Sequence, residues 1–188
     1  MHQLPMQPPL AASQSPRNKY PVLIDTAIGD DIDDALALAL ALCSPEIDLR
    51  GVTTVFGDTQ LRARLAAHLL RIFGRDDVPV AVGMQTPLQL RHGPSGVPQA
   101  ALLDERATFP SLSKLSGPEL IIQTAMAQSG QLILICIGPL TNVATALMNE
   151  PHLFMAIRNI VMMGGTVGLP FPEWSIRSDV KAAQIVLG

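Results

Sequence analysis

Cysteine is scarce in this sequence: Cys43 and Cys136 are the only two among 188 residues. Each lies in an apolar run, which excludes a disulfide scaffold and predicts two inert core thiols in a reducing, cytoplasmic compartment. Charge is also sparse, at 15% of residues, and 16 acidic against 13 basic side chains leave a formal net charge of −3. Such a balance excludes a protein that gathers nucleic acid on a basic surface. Long hydrophobic runs are missing too. The most apolar stretch, Ala35 to Cys43, falls short of the roughly 18 residues that span a bilayer, so no membrane partner is expected. The opening MHQLPMQPPLAASQSPRNK has no charged stretch leading into an apolar one and does not read as a signal peptide. Its Pro, Gln and Ser content predicts a mobile tail over residues 1–19.

What remains is rich in core material. Hydrophobic residues make up 48% of the chain and mean hydropathy is +0.31, enough to exclude disorder and to fill one domain over residues 20–188. Short β-prone runs alternate with helical patterns along it. Strands are expected at 20–25, 49–56, 78–82, 131–137 and 159–163, the fourth being the continuous apolar run QLILICI. Helices are expected at 35–43, 59–73, 118–128, 140–148 and from 179 onward. The Ala/Leu alternation of 35–43 has a strand's period, but Ala and Leu are strong helix formers and carboxylates precede them, so a buried helix is the better reading. In the helix at 59–73, Leu61, Leu65, Leu69, Ile72 and Phe73 share one face, and Arg62, Arg64, Arg71 and Arg75 read as a solvated face. Residues 83–117 show no period and are long for a loop inside a compact domain, so they are either functional or contain short helices, while 164–178 reads as a loop.

Strands separated by helices predict an open, mostly parallel, Rossmann-like α/β sheet with helices on both faces. Ligands in such sheets bind beyond the carboxyl ends of the strands. The residues collected there are Asp25, the cluster Asp30, Asp31, Asp33 and Asp34, then Gly57-Asp58, Gly138 to Asn142, and Gly164-Gly165. Five carboxylates within ten residues repel one another unless a cation or strong donors compensate, and a hard divalent ion such as Ca²⁺ or Mg²⁺ suits oxygen ligands. The alternative is that these acids cap a helix and face water. The spacing is not that of an EF-hand, and neither a phosphate-binding G-x-x-x-x-G-K-[ST] loop nor G-x-G-x-x-G occurs.

The run Val22-Leu-Ile-Asp-Thr-Ala-Ile-Gly-Asp-Asp-Ile-Asp-Asp-Ala-Leu-Ala-Leu38 resembles the N-terminal signature of the inosine-uridine preferring nucleoside hydrolases. Further stretches match in order: Gly51 to Asp58, Ile137-Gly-Pro-Leu-Thr-Asn142, Ile160-Val-Met-Met-Gly-Gly165, and Glu173-Trp-Ser-Ile-Arg-Ser-Asp179 before Ala182-Ala183. The resemblance implies an α/β domain that binds Ca²⁺ at the floor of its site. It implies hydrolysis of the N-glycosidic bond of a purine or pyrimidine ribonucleoside, with a small nucleoside or ribose as the partner. Carried over residue by residue, it makes Asp34 a bidentate Ca²⁺ ligand and Asp33 an acceptor for ribose hydroxyls, the two being the catalytic pair. It makes the main-chain carbonyl of Ile137 a metal ligand and assigns Asp58, Met163, Glu173 and Ser175 to the substrate pocket. Asp30 and Asp31 fall in a two-residue extension, where a shifted register turns Asp31 to the metal instead.

The chain also departs from the pattern. Ala27 stands where the family has an Asp that binds Ca²⁺ and acts as general base, and a methyl group does neither. Ser175 replaces an Asn. The family's later His and a further Asp find no counterpart in these 188 residues, so the resemblance implies a domain incomplete at its C-terminus. The expectation is therefore either a nucleoside hydrolase or an impaired homologue that keeps weak ribose binding, with apolar surface left open to self-association as a homo-oligomer. An Mg²⁺-dependent phosphohydrolase fits less well, because the nearest basic residue to the acids, Arg50, lies at a strand start.

Overall fold

Six strands pair side by side: β1 (Tyr20–Thr26), β2 (Ile47–Thr54), β3 (Val80–Val82), β4 (Leu112–Ser116), β5 (Leu132–Ile137) and β6 (Ile157–Met162). They form one sheet in the order β4-β3-β2-β1-β5-β6, and every pairing is parallel. This computed structural model describes residues 19–89, 96–104, 106–168 and 170–188. Apart from Lys19, the tail expected over 1–19 lies outside them.

The helices are α1 (Asp33–Cys43), α2 (Thr59–Ile72), α3 (Gly117–Ala127), α4 (Thr141–Asn149), α5 (Leu153–Ala156), α6 (Trp174–Ser178) and α7 (Val180–Leu187), with a 3₁₀ turn over Pro98–Leu102. Strand side chains alternate between two cores. Val22, Ile24, Leu49 and Val52 pack with Leu38 and Ala41 of α1 and with Ala63, Ala66 and Leu70 of α2. Leu23, Leu132, Leu134 and Cys136 pack on the other side with Ile121 of α3, Val143 and Ala144 of α4, and Ala182 of α7. Two buried faces explain why the central strands read as unbroken apolar runs. α3 starts where local chemistry favours a start: Pro118 sits in the first turn, and Ser116 and Glu119 form a capping box, the Ser116 N–H donating to Glu119 Oε2 at 2.8 Å.

Several elements differ from the sequence reading. The stretch 83–117 contains a short 3₁₀ helix, as one of its two readings allowed, and also the unexpected strand β4, while residues 90–95 lie outside the description. Strand β4 (LSKLS) is a short, half-exposed edge carrying Lys114, so it offers no apolar run to detect. A short helix, α5, precedes β6, and α6 forms inside the presumed loop 164–178. Helix α2 buries Thr59, Arg62, Ala63, Ala66 and Leu70, whereas Ile72 is 65% exposed; its small residues let the helix lie close to the sheet. Cys43 is exposed rather than core, and only Cys136 is buried.

From β1 the chain builds outward to β4 and then returns to place β5 on the other side of β1. The connections leaving β1 and β5 therefore diverge, and the crevice between them is where a sheet of this kind receives a ligand. Among the described residues no helix is long and apolar enough to cross a membrane.

Candidate active site

A cavity of about 310 Å³ opens at that switch point. The β1–α1 connection contributes Ala27, Asp30, Asp31, Asp33 and Asp34, β5 contributes Ile137, and Met163 and Trp174 close the far side. The connection is shaped locally. Gly29 has φ +123°, and a Cβ there would run into Val97, so the turn toward the acids requires glycine. The Ile28 N–H donates to Thr26 Oγ1 at 3.0 Å. Beneath it, Asn142 ties β1, β2 and the segment after β3 together: its Nδ2 donates to Asp25 Oδ1 at 2.7 Å and to the Thr54 carbonyl at 2.9 Å, while its Oδ1 accepts from the Met84 N–H at 2.8 Å. Phe56, left-handed at φ 71°, presents its ring edge-on to Trp174 with centroids 5.1 Å apart.

Charge is poorly compensated here. The Asp34 carboxyl is pushed up to about 7 by burial first and then by neighbouring Asp33, against an opposing hydrogen bond from Thr26 and the charge of Arg62. Asp25, fully buried under the crevice, is also raised to about 7 by burial, although Thr53 and Asn142 hydrogen-bond to it. One Asp25 oxygen, Oδ2, has no partner. Burial, with Asp25 beside it, also pushes the Cys136 thiol up, which keeps that cysteine unreactive.

Of the residues singled out in the sequence, Asp30, Asp31, Asp33, Asp34, Ile137 and Met163 meet at the cavity. Asp58, Glu173 and Ser175 do not line it. Asp58 caps α2, accepting from the Leu61 N–H at 2.9 Å, and Glu173 caps α6, accepting from Ser175 and Ile176 N–H groups at 2.8 and 3.2 Å. Ser175 is 2% exposed and its Oγ lacks a partner. Arg62 corrects the reading of its arginine group as solvated: it is 0% exposed and bonds to Asp30 and to main-chain carbonyls of the crevice wall. The signal was available, since position 62 falls in the Thr59, Ala63, Ala66 stripe of α2, yet a buried arginine and a surface one look alike in composition.

Among the described residues no three His, Cys, Asp or Glu side chains gather closely enough to cage an ion. The charged side chains lining the cavity, Asp30, Asp31, Asp33 and Asp34, are nevertheless all hard oxygen donors, and a carboxylate raised by burial beside a second carboxylate is relieved by a divalent cation. In chemistry the set fits such an ion, with Ala27 adding no side-chain donor.

Residues 22–188 match the family model described as inosine-uridine preferring nucleoside hydrolase. The chain belongs to that family. It is 36% identical over 185 residues to an Arabidopsis thaliana protein named "Probable uridine nucleosidase 2", covering 88% of this chain and 55% of the relative. Over 181 residues it is 36% identical to the pyrimidine-specific ribonucleoside hydrolase RihA of Salmonella paratyphi A, covering 88% and 56%. Among solved structures, the plant nucleoside hydrolase PpNRh1 superposes with a TM-score of 0.74 at 32% identity, covering 89% of this chain and 56% of that one. A purine-preferring ribonucleoside hydrolase from Gardnerella vaginalis gives 0.75 at 26% identity, covering 88% and 57%. The chain thus spans about half the length of the nucleoside hydrolases it matches.

Proposed function

We propose that the crevice binds the ribose of a ribonucleoside and hydrolyses its N-glycosidic bond, giving free base and ribose. The observation that carries this reading is the acidic cavity at the β1/β5 switch point, with Asp34 held near neutrality, in a chain of the nucleoside hydrolase family. As the C–N bond lengthens, positive charge grows on the sugar, and the Asp33 and Asp34 carboxylates stabilise it across a short, poorly solvated gap. A carboxylate at the cavity can take a proton from water as the water oxygen bonds to the anomeric carbon and the base departs. We assign that step to Asp34 in place of the carboxylate that Ala27 cannot supply. Asp33 accepts from the ribose hydroxyls, while Met163 and Trp174 form the apolar wall. Asp58, Glu173 and Ser175 complete the substrate set in this reading, although none of the three lines the cavity.

Asp34 and the Ile137 carbonyl would hold a Ca²⁺ ion, whose chemistry when bound is to orient the ribose hydroxyls and acidify water. We place the protein in the cytoplasm, as one α/β domain over residues 20–188 that self-associates, acting in nucleoside metabolism and purine salvage. Binding without turnover is the second reading, favoured by the Ala27 methyl.

Trp174, the only tryptophan in the chain, reports on the cavity. Titration with inosine, uridine or ribose is expected to change its emission saturably. Asp33→Asn should weaken binding about tenfold or more through a lost charge-assisted hydrogen bond. Absence of any saturable change with all three ligands contradicts the assignment.

A further inference from the structure

We propose that Arg62 is a positioning residue, an internal cation that fixes the crevice wall from the middle of α2. A guanidinium is a planar fork of N–H donors, and all three of its nitrogens donate here. Nε donates to the Phe56 carbonyl at 2.8 Å. Nη1 donates to the carbonyls of Ala27 and Ile28, the latter at 2.9 Å. Nη2 donates to both Asp30 oxygens, at 3.2 and 3.0 Å.

The acceptors are the parts that give the cavity its shape. Ala27 and Asp30 line it. Phe56 holds its left-handed backbone while its ring braces Trp174. A buried arginine is tolerated only when paired and fully hydrogen-bonded, and its planar fork then fixes the direction of every acceptor it meets. Arg62 accordingly sets the path of the chain from Ala27 to Asp30, neutralises one of the clustered acids, and couples the acid loop to the aromatic wall. Asp30 is spent on this anchor, and Asp31, Asp33 and Asp34 remain as the open carboxylates. The consequence for ribose binding rests on the function proposed above, whereas the anchoring does not.

The test compares the full chain with its Arg62→Lys, Arg62→Gln and Asp30→Asn variants, reading Trp174 emission, Tm and ribose affinity. A lysine ammonium can serve at most three of the five acceptors. Arg62→Lys is expected to shift Trp174 emission to the red and to raise the ribose Kd roughly tenfold, as a displaced binding wall does. Asp30→Asn keeps the main-chain anchors and should move both readouts in the same direction by less, about threefold in Kd. If Arg62→Gln or Arg62→Lys fails to fold, Asp30→Asn decides. Emission and affinity equal to the parent's in the folded variants overturn the proposal, whatever happens to Tm. If the parent itself binds no ribose, the nucleoside reading fails. The emission maxima then still decide the anchor, a red shift supporting it and an unchanged maximum overturning it.

Discussion

At the scale of single residues, the crevice is built at a cost in stability, and Asp34 shows the sign of that cost. Its carboxyl sits at about 7 in the folded protein against an ordinary 3.8, chiefly because it is buried. Between those two values the folded state keeps a proton that the unfolded chain has released, so stability declines as pH rises through the window and levels off above it. Asp34→Asn removes the effect. Thermal unfolding between pH 4 and 8 should show the variant more stable than the parent above neutrality, on the order of 2 kcal/mol, with the two converging near pH 4. A variant less stable than the parent at pH 8 contradicts burial as the dominant cause. Ala27 marks the other residue-scale feature. It sits in the crevice wall, 6% exposed, with a methyl where the sequence pattern of the nucleoside hydrolases has a carboxylate. Any activity therefore depends on a neighbouring acid doing that work.

At the scale of elements, α1 departs most from an ordinary surface helix. Beyond Asp33 and Asp34 it consists of Ala, Leu and one Cys, a composition that suits a helix buried on all sides. Ile32, Leu36 and Leu40 are nevertheless 61, 61 and 69% exposed, spaced so that they form one stripe. Self-association through this stripe is expected. Light scattering should show the parent's mass rising with concentration and the Leu36→Gln/Leu40→Gln double variant remaining monomeric with a Tm within a few degrees. A parent that stays monomeric at high concentration contradicts this. The same helix shows what the sequence made legible. Its period suggested a strand, and residue propensity rightly outweighed period. Strand β5 was plain because both its faces are covered, whereas β4 was hidden because a short edge strand with a lysine carries no hydrophobic pattern. Helix α2 was located correctly and its expected face holds in part, since Leu65 is buried and Leu61 and Leu69 pack on the core, while Ile72 and Phe73 are exposed and Arg62, Ala63, Ala66 and Leu70 are buried instead.

At the scale of the whole molecule, the position of the crevice follows from strand order, whereas the alternating strands and helices of the sequence imply only that the sheet is parallel. Six of the residues singled out in the sequence, Asp30, Asp31, Asp33, Asp34, Ile137 and Met163, meet at the cavity for that reason. Asp58, Glu173 and Ser175 were legible as motif members but not in their present hydrogen bonds, because capping depends on where a helix begins to within one residue. The burial of Arg62 was signalled by its place in the alanine stripe of α2, but its role was not, because its partners lie 32 to 35 residues away in sequence. The most direct test of the account is ribose release from a panel of purine and pyrimidine nucleosides with Ca²⁺ present, by this chain and by its Ala27→Asp variant. The account predicts slow release by the parent and release faster by about 10²-fold or more in Ala27→Asp, the increment that a well-placed general base contributes. Two folded proteins that release no ribose from any nucleoside would contradict it.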